Sequence, residues 1–149
     1  MSTYTQILYQ VVYSTKYRQK CMIKKNRPEL FRYMSGILQN KNCKNLQING
    51  VEDHVHILMK LHPSVALADL IKDIKISTNA FIKEKGLFPL FTGWQNGYGA
   101  FTYSFEALPN LIRYIQNQEI HHGEITFEDE YIALLEEHGI EYDLKYVFD

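Results

Sequence analysis

An α+β fold of the ferredoxin-like, split βαβ kind is what this sequence predicts: a four-stranded antiparallel sheet with helices on one face, plus C-terminal helices. Three observations predict it. Strand-like and helix-like segments follow one another in the order β-α-β-β-α-β, Asn49-Gly50 supplies hairpin turn chemistry between the two middle strands, and the last strand is followed by further helical pattern. At 149 residues, 46% hydrophobic and 22% charged, the chain suits one well-filled core, so a single domain over 1–149 is expected.

The elements follow in order. Residues 4–14 are rich in aromatic and β-branched side chains and lack Gly and Pro, which predicts a buried first strand. A basic loop comes next, with Lys16, Arg18, Lys20, Lys24, Lys25 and Arg27 and no intervening acid. Asn26 is placed to cap a helix that Pro28 opens; Leu30, Met34, Ile37 and Leu38 share its face, and it should end near 40–42. Segments 44–52 and 54–61 read as the two strands of a hairpin. Ser64 is expected to cap a second helix with Leu67, Leu70, Ile71, Ile74 and Phe81 inward and Lys72, Lys75 and Lys83 opposite, ended by Gly86 and Pro89. A fourth strand is expected at 98–104. Pro109 opens a third helix with Leu111, Ile112 and Ile115 inward. Thr126 to Asp129 resembles a capping box starting a fourth helix, with Tyr131, Leu134 and Leu135 apolar and Gly139 as its stop.

No stretch approaches the roughly 18 apolar residues of a membrane span, and the start shows no basic region followed by an apolar run, so neither membrane insertion nor export is expected. Cys21 and Cys43 form no C-x-x-C pair, which argues against a disulfide framework or a zinc-cysteine site and for the cytoplasm. The net charge of −1 hides an asymmetry: residues 119–149 hold ten acids against the single Lys145, leaving seven acids against fifteen bases before them. A basic body suits a polyanionic partner, although an ordinary solvated surface has the same composition.

Two constellations carry chemistry. His54-Val55-His56 lies in an expected strand, where period-two alternation puts both imidazoles on one face, a spacing able to chelate one divalent ion. Hydrogen-bonded sheet histidines would have the same pattern. On the third helix Tyr114 and Gln118 are one turn apart, with Arg113 beside them and His121 and His122 a turn further. Gln118 offers an amide oxygen that would complete a site of two nitrogens and one oxygen, and Tyr114 offers a phenol; each alone is an ordinary surface residue.

Asp53-His-Val-His56, Trp94-Gln-Asn-Gly-Tyr-Gly-Ala-Phe101, Tyr114-Ile-Gln-Asn-Gln-Glu-Ile-His-His122 and Thr126-Phe-Glu-Asp-Glu-Tyr131 together resemble, over nearly the whole chain, the single-tyrosine HUH transposases of bacterial insertion sequences that move as single-stranded DNA. Relatives associated with repetitive extragenic palindromes share these motifs. The resemblance implies a homodimer, with the tyrosine placed either in cis or in an active site shared between the two subunits, and cleavage of hairpin-bearing single-stranded DNA at the element's ends. By position His54, His56 and Gln118 resemble the family's metal ligands and Tyr114 its nucleophile, forming a 5′-phosphotyrosine with Mg²⁺ or Mn²⁺ as cofactor. His121 and His122 match the motif without an expected ligand role. Lys16, Arg18, Lys20, Lys24, Lys25, Lys72, Lys75 and Arg113 are candidates for backbone phosphates. Trp94, Tyr98, Phe101 and Tyr103 are candidates for base stacking or, more simply, for the core. Two competing readings are a non-catalytic ferredoxin-like nucleic-acid-binding module and a metal phosphodiesterase that uses water.

Overall fold

In a computed structural model describing residues 1–149, four strands form one antiparallel sheet: β1 (Leu8–Ser14), β2 (Lys44–Gly50), β3 (His54–Lys60) and β4 (Gly99–Thr102), in the order β2-β3-β1-β4. The two most apolar strands take the centre, where both faces must be covered. Helix α1 (Arg27–Asn40) follows β1, and α2 (Leu67–Lys85) connects β3 to β4. This is the expected ferredoxin-like order.

Alternation along the central strands separates two environments. Val11, Tyr13, Val55, Ile57 and Met59 form the main core with Leu30, Met34 and Leu38 of α1 and Leu70, Ile71, Ile74 and Ile82 of α2. The other face is also covered. Leu111 and Ile115 of α3 (Leu108–Gln116) pack on Leu8 and Leu58, while Phe127, Leu134 and Leu135 of α5 (Phe127–Glu137) pack on Val12 and Phe101. The C-terminal helices therefore close the face that α1 and α2 leave open, and His54 and His56 point into that second layer.

Four local expectations are corrected. The first strand begins at Leu8, not at residue 4, because β3 ends at Lys60 opposite Leu8 and β4 ends at Thr102 opposite Tyr9; Tyr4 stays 89% exposed. Asn49-Gly50 is not the turn: both residues pair within β2, and residues 51–53 make the connection. Gly50 is required by crowding, since a Cβ there would fall on the carbonyl oxygen of His54 and 3.1 Å from Val55 Cα. Ser64 does not cap α2, which starts after Ala66; its hydroxyl instead lies 2.7 Å from His62 Nδ1. The third helix is interrupted at Asn117, so that Gln118–His121 form a separate turn, α4. The expected end of α2 at Gly86 stands, with φ of 60°. Phe101 is buried in the layer under α5, whereas Trp94 packs against the main core, its Nε1 donating to Thr78 Oγ1 at 2.9 Å. No helix is long and apolar enough to cross a membrane.

Candidate active site

The site is built on the even-numbered residues of β3. His54 and His56 are both fully buried, each held from behind by a group that can only accept: Nδ1 of His54 is 2.7 Å from Asp53 Oδ1, and Nδ1 of His56 is 2.7 Å from Gln10 Oε1. Gln10 is itself aimed by donating its Nε2 to Tyr103 Oη at 2.8 Å. Each Nδ1 therefore carries a proton, and each Nε2 turns forward, where it is free to bind a cation when the ring is neutral.

The second constellation arrives from the opposite layer through the break at Asn117. Asn49 Nδ2 of β2 donates to the carbonyls of Ile115 at 2.8 Å and Gln116 at 3.2 Å, and Gln118 Nε2 lies 3.4 Å from that of Tyr114. Side-chain donors thus take over carbonyls at the end of α3, which lets the chain change direction there. Gln118 is fully buried, with Oε1 3.3 Å from His54 Nε2. Tyr114 is half-buried, its ring centroid 6.0 Å from that of His56. His54, His56, Tyr114 and Gln118 all meet within one chain.

Between the two constellations sits Glu130 of α5, 2% exposed. Its Oε1 is 3.2 Å from His54 Nε2, 3.0 Å from His56 Nε2 and 2.9 Å from His122 Nε2. Its Oε2 accepts the Tyr114 hydroxyl, is 3.3 Å from Gln118 Nε2 and 3.2 Å from His121 Nε2. Sequence reasoning missed Glu130 and named His122 only as part of the motif, with no ligand role. The available signal was an acid on the apolar face of α5, at i+3 from Phe127 and i−4 from Leu134.

The electrostatics follow from this packing. Burial alone would raise the Glu130 pKa, but the bonds from His122, His54 and His56 hold it well below the usual carboxylate range. Burial opposes a charge on His54, yet Asp53 and Glu130 keep its pKa above the ordinary value; burial prevails at His56, whose pKa is lowered. Burial and then the Glu130 charge push the Tyr114 phenol upward.

The donor chemistry fits a divalent ion. The ligand atoms of His54, His56, His122 and Glu130 lie within 4.8 Å of one another. Ligands bonded at about 2.1 Å around a tetrahedral ion stand about 3.4 Å apart, close to the nitrogen–oxygen separations found here. A neutral His56 presents a lone pair to an ionised oxygen, an arrangement that a cation between them relieves. A donor set this rich in imidazole favours Mn²⁺ over Mg²⁺.

The candidate phosphate-binding residues are dispersed. Lys16, Lys20 and Lys25 are exposed. Arg18 pairs with Glu128 at 3.1 Å, and Lys24 with Glu119 at 3.0 Å. Lys72 and Lys75 belong to α2, across the sheet from Glu130, with Lys75 Nζ donating to the Gln95 carbonyl at 2.8 Å. Arg113 is exposed on α3 and donates to Asn110. A groove of about 1220 Å³ runs between the basic loop and the α4–α5 segment, with Asp53 and His122 among its lining residues.

Comparison with known proteins gives three findings. Residues 3–118 match the model of the family described as IS200-like transposases. A protein from Deinococcus radiodurans R1 assigned as a transposase superposes with a TM-score of 0.62 at 20% identity, covering 79% of this chain and 95% of that one. A REP-associated tyrosine transposase bound to a REP hairpin superposes with a TM-score of 0.61 at 14% identity, covering 84% of this chain and 76% of that one. No curated protein sequence matches. His122 and Glu130 lie beyond the family-matched residues.

Proposed function

This chain belongs to the IS200-like transposase family, and from that premise we propose that it cleaves and rejoins single-stranded DNA at hairpin-bearing element ends, through a covalent bond between Tyr114 and a 5′-phosphate. The observation that carries the reading is the single carboxylate, Glu130, that joins the Tyr114 hydroxyl to three imidazole Nε2 atoms.

His54, His56, His122 and Glu130, with Gln118 beside them, would hold the ion. The chemistry such an ion would supply is Lewis-acid polarisation of a phosphate oxygen and partial neutralisation of its charge. The protein's own residues supply the rest. Glu130 Oε2 accepts the phenolic hydrogen bond and so directs the Tyr114 oxygen. A carboxylate held so low in pKa is a weak base, and its principal effect is this aim. As the Tyr114 oxygen bonds to phosphorus and the bond to the 3′ oxygen breaks, the phenolic proton is lost to solvent and the leaving 3′ oxygen takes up a proton from solvent. The phosphoester is preserved, so a second 3′-hydroxyl reverses the step without ATP. Gln10 and Asp53 keep both imidazoles facing the reaction.

The REP hairpin bound by the structural neighbour supports a hairpin as the substrate here. All 149 residues would act as one transposase domain in the cytoplasm, as a homodimer. Incubation with a single-stranded hairpin oligonucleotide and Mn²⁺ or Mg²⁺ should give a covalent protein–DNA adduct that Tyr114→Phe abolishes. An adduct that persists in that variant removes Tyr114 as nucleophile. Salt-sensitive binding with no adduct under either metal would leave only a nucleic-acid-binding module.

A further inference from the structure

We infer that Tyr17 is a stacking platform for an unpaired nucleobase of the substrate strand; this rests on the transposase reading above. Tyr17 and Arg18 follow β1 with φ of 56° and 55°, left-handed conformations unfavourable for side chains of this size. The loop is held in them from several sides. Thr15 N donates to the Asp53 carbonyl at 2.9 Å, Lys16 N to that of Gly93 at 2.8 Å, and Thr15 Oγ1 to that of Gln19 at 2.7 Å. Tyr17 N itself donates to Gln95 Oε1 at 3.0 Å.

Such strain persists only where surrounding structure imposes it, and here it is imposed on a residue that is 76% exposed and so gains little from packing. The loop thus holds an aromatic ring in water by design of its backbone, an arrangement that makes sense for a surface meant to be covered by a ligand. Its surroundings say which ligand. Lys16 Nζ lies over one face of the ring, 5.7 Å from its centroid, and Lys16 and Lys20 are exposed without an ion pair, so positive charge accompanies an aromatic ring that is largely open to solvent, the combination that binds single-stranded nucleic acid. Tyr17 also lines the groove that His122 lines. Of the acids that line the groove, Glu119 and Glu128 are paired with Lys24, Arg27 and Arg18 and Asp53 with His54, while Glu52, Glu124 and Asp129 carry no ion pair. The loop is tied to the metal-binding strand as well, since Asp53, whose carbonyl anchors Thr15, also holds His54.

The test uses the full chain carrying Tyr114→Phe, so that the strand stays intact, and a DNA hairpin whose single-stranded flank bears 2-aminopurine at successive positions. The parent and Tyr17→Phe should quench the fluorophore at one flank position and bind alike. Tyr17→Gly should lose that quenching and weaken Kd by about tenfold, while its Tm stays equal or rises, because glycine accepts this φ without strain. Parental Kd and quenching in Tyr17→Gly at every flank position would overturn the inference while leaving the transposase reading intact. A parent that binds no hairpin DNA at all would overturn both.

Discussion

Removing the Glu130 carboxylate by Glu130→Ala strikes the one group that four separate segments share. In the metal-free protein the side chain is 2% exposed and faces His54, His56, His121, His122, Gln118 and Tyr114. Truncation leaves the buried His54 imidazole without one of the two carboxylates that favour its charge and strips the Tyr114 hydroxyl and Gln118 amide of their acceptor, a class of change that costs about 3–5 kcal/mol. For a chain of this size that corresponds to a fall in Tm of about 10 °C. Urea titration in EDTA at neutral pH, with the m-value checked for constancy, measures the loss. A difference below about 1 kcal/mol would refute the reasoning, because a typical exposed acid costs no more than that. The pH dependence adds a second check. Because the folded pKa of Glu130 is depressed, its stabilisation is complete above its ordinary value of 4.5 and is lost progressively as pH falls below it. The share from His54 has the opposite sense: its folded pKa is raised, so that share is complete below 6.5 and fades as pH rises through the folded value. Wild type and Glu130→Ala should therefore differ most between about pH 4.5 and 6.5, and the acid limb of the variant should be flatter.

Three further outcomes are expected. Gly50→Ala should destabilise by more than about 2 kcal/mol in urea titration, because the new methyl meets backbone that has no free rotamer to yield, and it should lower Mn²⁺ affinity by calorimetry, since the displaced carbonyl belongs to His54. Thr126→Ala removes the cap that its hydroxyl gives Asp129 N at 3.2 Å and should cost about 1 kcal/mol, read as a small downward shift of the urea midpoint. Chains carrying Tyr114→Phe, mixed with chains carrying His54→Ala and His56→Ala, should form no covalent adduct if the nucleophile serves its own chain; recovery of adduct would reveal exchange between subunits.

The parts of the site that were legible in sequence are those set by local periodicity. His54 and His56 share a face because a strand alternates, and Tyr114 and Gln118 were recognised as neighbours because a helix returns every 3.6 residues. Even there the helix breaks at Asn117, for a reason lying far off in the sequence: Asn49 on β2 takes the carbonyls of Ile115 and Gln116. Glu130 was hidden for the same kind of reason. It meets His56 across 74 residues of chain, and only the docking of α5 on the sheet joins them. Asn49-Gly50 misled because a dipeptide typical of tight turns was selected here for closeness between strands. The basic loop was plain as a run of charge, yet its pairing with Glu119 and Glu128 depends on how the C-terminal segment folds back.

Strand β3 ties two demands to one variable. Sliding it by a single position along β1 would drive both imidazoles into the oily layer beneath α1 and α2, and would lift Val55, Ile57 and Met59 toward Glu130. No gradual drift links those arrangements; the donors are either in phase with the aliphatic residues or wholly out of it. The greasy side of the strand thereby acts as a detent for the chemical side, and whatever tightens the packing under α1 and α2 also sharpens where the imidazoles aim.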